Sequence, residues 1–349
     1  MKKLAFQFTV ALAVAVSASH VVAQGAKQTL RLFIWSDYMD PAVIKDFEKK
    51  FGANVVIDTY ESNESMLAKL QGGGARYDLA VPSDYIIQTM VKSNLLQELR
   101  AKNVPNLKNI ASTFKSPKYD PGNKYSAAYQ YSATAVAYRA DKVKNPAQSW
   151  SVIFGSEDKI RFALLDDPRE VIGAALKYLG YSLNSTSTQE LAKARDLIVK
   201  TKAKKGFVGF DGGPGIRNKL LAGEIDLGQI YAGDGLQGAQ ENKNLKLFIP
   251  KEGTTISVDN LVVLKNAPNR DLAEKFVNFI LDAKVGARIS NYTQYATPNG
   301  AARQYLDPAL KSNQALYPPA VVAKGFENIR EVGSATRLYD RIWTQVKAR

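Results

Sequence analysis

The sequence runs to 349 residues with no cysteine, a single histidine at His20 and a formal net charge of +14. Disulfides and thiol nucleophiles are excluded, and because His20 falls in an N-terminal leader, histidine metal sites and serine–histidine triads are excluded with them. Carboxylate-pair hydrolysis and oxygen-ligand metal sites survive this filter.

Residues 1–23 read as a secretory signal. Lys2 and Lys3 form the charged start, an apolar stretch runs from about Phe8 to Val16, and Val21-Val22-Ala23 offers small residues for cleavage before Gln24. The apolar run falls short of the roughly 20 residues a membrane span needs. No cysteine follows it, so the expectation is a chain secreted through the inner membrane into a periplasm without a lipid anchor. Removal of the leader leaves 45 basic against 33 acidic residues, a net charge of +12. The basic residues are scattered, as in Lys45, Lys108, Lys118 and Arg195, with the densest cluster at Lys202, Lys204 and Lys205 on a helix end. That distribution describes a solvated surface, and no nucleic-acid partner is expected.

From Leu30 to Met90 short strands alternate with helices. The strand ending in Ile34-Trp35 is followed by Ser36-Asp37-Tyr38, and Asp40-Pro41 starts a helix with Ile44, Phe47 and Phe51 on one face. Asn54–Thr59 is a second strand. Ser62 or Asn63 caps the next helix, which Gly72-Gly73-Gly74 terminates. The strand Tyr77–Val81 completes a β-α-β-α-β unit and runs into a second Ser-Asp-Tyr, Ser83-Asp84-Tyr85. The right-handed crossover rule makes these strands parallel, so both copies fall at one sheet edge, where open α/β sheets bind ligands. The simpler reading is that Asp37 and Asp84 cap the following helices.

Tyr125–Tyr138 is a long extended segment. Ile160–Leu165 is a strand leading into Asp166-Asp167-Pro168-Arg169-Glu170, three carboxylates at a helix start that also suit the helix dipole. Thr188–Ala203 is a long amphipathic helix. Gly212-Gly213-Pro214-Gly215 opens another, and Leu227–Ala232 is a strand ending in Tyr231-Ala232-Gly233-Asp234. Asp259 interrupts the otherwise apolar strand Thr255–Leu264, where an unpaired charge is costly. Asp271–Leu281 is helical, and Tyr292–Asn299 forms an aromatic loop containing Tyr295. No solenoid repeat or low-complexity linker divides the chain. An aromatic beside a carboxylate at strand ends, repeated along the sequence, is the composition that holds a small organic cation.

At these residues the chain resembles the periplasmic spermidine/putrescine receptors of bacterial ABC importers. The likeness runs from about Leu30 to Arg349 and rests on Trp35-Ser36-Asp37-Tyr38, Thr59-Tyr60-Glu61-Ser62-Asn63-Glu64, Tyr77–Ser83, Asp167–Val171, Pro250–Gly253 and Ala296–Asn299. It implies the type II periplasmic binding protein fold, an α/β architecture of two lobes with mixed sheets flanked by helices and hinge strands crossing between them. Residues 24–131 with 258–303 would form the first lobe, and 132–257 with 304–349 the second, with crossings near Tyr131 and Ser257. The resemblance further implies that Trp35, Tyr38, Tyr85, Tyr231 and Tyr295 flank the ligand and that Asp167, Glu170 and Asp259 neutralise its ammonium groups. Ser83 adds a polar contact and Asp234 meets an amine, while Ser36 and Asp37 complete the expected ligand-binding set, with Asp37 read as a cleft-edge group that bridges the lobes on closure. The implied partners are a small-molecule polyamine and an inner-membrane ABC permease, with the receptor a monomer that needs no cofactor or metal.

Two positions depart from the family pattern. Ser257 replaces the usual aromatic two residues before the pocket acid, and Ile329 stands where spermidine receptors carry glutamine. Both favour putrescine over spermidine. Two alternatives stand beside this reading. One is a receptor for another organic cation, a basic amino acid or an agmatine-like guanidine, with Arg169 as the only nearby anchor for a ligand carboxylate. The other is a carboxylate-dependent hydrolase using Asp166, Asp167 and Glu170.

Overall fold

The computed structural model describes residues 27–73, 76–155, 159–319 and 323–348. The expected leader and Gly74 lie outside them. In chain order the strands are β1 (Thr29–Trp35), β2 (Asn54–Tyr60), β3 (Leu79–Ala80), β4 (Ser126–Arg139) and β5 (Phe162–Leu165). They continue with β6 (Phe207–Asp211), β7 (Leu227–Tyr231), β8 (Leu245–Phe248), β9 (Thr254–Val263) and β10 (Phe326–Asn328). One mixed sheet connects them in the order β2-β1-β3-β9-β4-β7-β5-β6, with β10 on β9 and β8 on β4. This is the mixed α/β architecture anticipated from the sequence.

β1 lies parallel to both β2 and β3, with Leu32 opposite Leu79 and Phe33 opposite Ala80. One face of β1 is fully buried and the other is buried at Phe33. Leu30, Leu32 and Ile34 enter one apolar cluster and Phe33 the other, which is why the strand reads as a nearly continuous hydrophobic run. The helix Pro41–Phe51 that follows is set by local chemistry. Asp40 accepts a hydrogen bond from the Ala42 amide at 2.8 Å, Pro41 occupies the first turn, and Gly52 ends the helix at φ 63°. Its inward face buries Val43, Ile44 and Phe47, each worth about 1.5–3 kcal/mol of apolar transfer.

The expected strand from Tyr77 is shorter in the ladder. Tyr77 stacks on Phe33 with centroids 4.5 Å apart, and Asp78 turns its carboxylate onto the amides of Arg31 and Asn269. The short strands β6, β8 and β10 were not evident in the sequence, and each is held by a neighbour remote in the chain.

β4 and β9 join the two halves of the sheet. β4 pairs with β9 from Ser126 to Ala133, then with β7 from Thr134 to Tyr138. Ser132 lies opposite Ser257 and Tyr131 opposite Val258 in the same antiparallel ladder. A core containing Phe47, Leu79 and Phe276 packs on one half, and a second containing Trp150, Phe162 and Ile172 on the other. Among the described residues no helix is long and apolar enough to cross a membrane.

Candidate functional site

Because β1 and β3 run parallel, the two Ser-Asp-Tyr segments emerge at one edge of the sheet. They face the carboxyl ends of β5 and β7 across a cleft with about 570 Å³ of unoccupied space, part of it open to solvent. Eleven of the twelve residues singled out from sequence line it, namely Trp35, Ser36, Tyr38, Ser83, Tyr85, Asp167, Glu170, Tyr231, Asp234, Asp259 and Tyr295. Asp37 does not. Its carboxylate turns to the rim and pairs with Arg217 of the opposite half at 2.7 Å.

The acids are held by neutral donors. Asp259, on β9, accepts from Ser83 Oγ at 2.6 Å and from the Tyr38 hydroxyl at 2.7 Å. Glu170 accepts from Thr255 Oγ1 at 2.6 Å and Thr134 Oγ1 at 2.7 Å, one threonine from each strand joining the halves. Asp167 caps the helix Pro168–Tyr178 through the Arg169 and Glu170 amides while its other oxygen faces Tyr231 at 3.5 Å. It is both cap and cleft group. Asp234 receives the Tyr295 hydroxyl at 2.9 Å. Burial pushes Asp259 and Glu170 up to about 6, and Asp167 and Asp234 up to about 7. Burial disfavours their charged forms, and an ammonium group entering the cleft would offset that penalty.

Rings make up the walls. Tyr38 meets Tyr295 edge to face with centroids 4.6 Å apart, and Trp35 meets Tyr231 at 6.2 Å. Trp35 Nε1 donates to Val81 O at 3.0 Å, which ties the end of β1 to the segment after β3.

Supporting residues escaped the sequence reading. Asn63 donates to Ser83 Oγ at 3.0 Å and the Tyr85 hydroxyl at 3.1 Å, and accepts from the Ser83 amide at 3.0 Å. Glu61 lines the cleft mouth and receives Ser36 Oγ. The quoted Tyr-Glu-Ser-Asn-Glu segment was the available signal. Ser132 and the Gly213-Pro214 turn also line the cleft, as do the two departing positions Ser257 and Ile329.

Three readings are corrected. Asp84 is not a helix cap. Ser83 holds the N-cap position of Asp84–Lys92, and Asp84 is buried against β10, accepting from Asn328 Nδ2 at 3.2 Å, with burial raising it to about 8. Arg169 is no anchor for a ligand carboxylate. Its guanidinium is turned behind the cleft wall, donating to Arg330 O and Asn184 Oδ1 at 3.1 Å each. Asp166 likewise leaves the cleft and pairs with Lys347 at 2.8 Å, so the three neighbouring acids do not face one substrate.

The sequence pattern of the bacterial extracellular solute-binding proteins matches residues 42–318. The spermidine/putrescine-binding periplasmic protein of Escherichia coli K12 is 34% identical over 97% of this chain and 96% of its own length. The putrescine/cadaverine-binding protein of Pseudomonas aeruginosa is 32% identical over 93% of this chain and 95% of its own. Among solved structures, a spermidine/putrescine ABC transporter protein from Listeria monocytogenes superposes with a TM-score of 0.86 at 33% identity, covering 92% of this chain and 99% of that one.

Proposed function

The chain belongs to the bacterial extracellular solute-binding protein family, and from that premise we propose that it is a periplasmic receptor that captures a polyamine, putrescine before spermidine, and delivers it to an inner-membrane ABC permease. Its family and relatives are solute-binding proteins, so the hydrolase alternative falls. The observation that carries the polyamine reading is the cleft itself. Four buried carboxylates, Asp167, Glu170, Asp234 and Asp259, face a space walled by Trp35, Tyr38, Tyr85, Tyr231 and Tyr295. Ammonium groups satisfy the acids through charged hydrogen bonds of about 1.5–3 kcal/mol. The methylenes and cationic ends pack on the rings at about 0.5–2 kcal/mol per cation–π contact.

The preference for the shorter ligand rests on Ser257 and Ile329. The first contributes no ring, and the second offers a middle amine neither donor nor acceptor. The name of the Pseudomonas relative, a putrescine/cadaverine-binding protein, supports a diamine. A basic amino acid fits poorly, since Arg169 is engaged elsewhere.

The same proposal divides the chain into one lobe of residues 24–131 and 258–303 and another of 132–257 and 304–349. The change of β4 partner from β9 to β7 after Ala133 supports that division. The receptor works as a monomer, free of a lipid anchor, closing over its ligand by rotation about β4 and β9. Calorimetric titration of ligand-stripped protein with putrescine, spermidine, arginine and a neutral diol tests the reading. Putrescine binding tightest supports it, and equal affinity for putrescine and the diol overturns it.

A further inference from the structure

Within that polyamine-receptor reading, we propose that Arg169 is a positioning residue, a buried cation set behind the cleft wall that keeps Asp167 and Glu170 ionised and free to receive an ammonium group. A cation buried beside the acids of a cation receptor is an unexpected expense. Arg169 is only 5% exposed, and its Nε has no hydrogen-bond partner. Its guanidinium lies between two rings, 4.7 Å from the Tyr339 centroid and 5.4 Å from that of Tyr85. Its two hydrogen-bonded nitrogens donate to neutral oxygens, Arg330 O and Asn184 Oδ1. The same Asn184 oxygen accepts from the Arg330 amide at 2.8 Å, so one clamp fixes both the arginine and the segment that carries Ile329.

This arrangement separates charge balance from occupancy. An ordinary ion pair would consume the carboxylate oxygens a ligand needs. Arg169 acts from behind, leaving them to the cleft. Burial and mutual repulsion hold Asp167 and Glu64 near 7 and Glu170 near 6, and in all three Arg169 is among the influences that bring them down. The groups facing it come from four elements. They are Asp167 and Glu170 at the start of its own helix, Glu64 of Asn63–Gln71, Tyr85 of Asp84–Lys92, and Tyr339 with Asp340 of Thr336–Ala348. Without the cation, the acids keep their protons to higher pH, and each proton must leave before an ammonium group replaces it. Arg169 also repels the ligand, but that repulsion is the same at every pH and moves the affinity plateau, not the midpoint of its pH profile.

The test is putrescine affinity by titration calorimetry from pH 5.5 to 8.5, for the wild type, Arg169→Met and Arg169→Lys, with folding checked by circular dichroism. Arg169→Gln serves as the neutral variant if Arg169→Met does not fold. In the wild type, affinity falls as pH drops through about 7 to 6. The neutral variant shifts that midpoint upward by about one pH unit, while Arg169→Lys keeps the wild-type midpoint even if its affinity is lower throughout. Coincident midpoints in the wild type and the neutral variant overturn the role of Arg169 while leaving the polyamine receptor standing. Absence of putrescine and spermidine binding by the wild type across the range overturns both.

Discussion

Tyr295 reaches across the cleft and donates its hydroxyl to Asp234, 2.9 Å away on the opposite half of the sheet. The contact holds an acid in place before any ligand arrives and joins the two sides of the site. Tyr295→Phe keeps the ring and loses the donor. It should weaken putrescine binding about tenfold to a hundredfold, the worth of one charged hydrogen bond. Calorimetry measures the loss, and unchanged affinity would show that Asp234 needs no such support.

Asp259 has a partner on each carboxylate oxygen, Ser83 on one and Tyr38 on the other. Asp259→Asn preserves the shape and removes the charge. Putrescine affinity should fall by at least tenfold, while the ligand-free protein melts no lower than the wild type, because a raised acid has been replaced by a neutral group. Retained affinity would refute the assigned role.

These two acids also show where sequence reading succeeds and where it stops. Asp259 was visible because a charge in an apolar strand has no cheap structural explanation. Trp35, Tyr38 and Tyr85 were visible because parallel strands must end at one edge. Asp84 was misjudged because its true neighbour, Asn328 on β10, lies 244 residues away in the chain. Arg169 was misjudged despite standing between two cleft acids. At about 100° per residue, a helix start that turns positions 167 and 170 towards the cleft turns 169 away from it. Asn63 was missed because its work is to hold Ser83 and Tyr85 further along the chain, and only the Tyr-Glu-Ser-Asn-Glu segment pointed to it.

Stability of the ligand-free protein should decline as pH rises from about 5 to 8. Glu64, Asp84, Asp167, Glu170, Asp234 and Asp259 are all raised by burial to between about 6 and about 8. The folded chain therefore binds more protons than the unfolded one across this window, so the stability these acids contribute is present at low pH and is lost as pH passes through their folded values. The acids held low, such as Asp226 and Glu327, lose their contribution only below the window. Saturating putrescine should flatten or reverse the slope. Thermal melting at pH 5.5 and 8, with and without ligand, decides it; a ligand-free protein more stable at pH 8 contradicts the burial of these charges.

Asp37 pairs with Arg217 across the mouth of the cleft, yet its side chain is 56% exposed. Such a pair is worth little energy in water. Asp37→Ala should change putrescine affinity less than about fivefold while shifting the ligand-bound ensemble towards open forms in solution scattering. A loss of several kcal/mol in affinity would place Asp37 on the ligand instead.

Ile329→Gln puts an amide where the wall is apolar. It should improve spermidine binding relative to putrescine, read as the ratio of the two dissociation constants. An unchanged ratio would place the length discrimination elsewhere, with Ser257 the next residue to examine.

Three glycines at the cleft leave no room for a side chain, and two of them, Gly212 and Gly233, lie where the two halves meet. A Cβ on Gly212 would overlap the Glu61 carboxylate, one on Gly213 the Asp234 carboxylate, and one on Gly233 the Tyr295 ring. The rings and acids of the cleft can be exchanged for others of similar size, and a receptor for a new amine can be reached that way. The glycines allow less drift, since a methyl on Gly212 or Gly233 meets the opposite half and one on Gly213 meets an acid of the cleft, regardless of what is bound. Attempts to retool this protein as a sensor for other amines should therefore vary Tyr231, Ser257 and Ile329 and leave Gly212, Gly213 and Gly233 untouched.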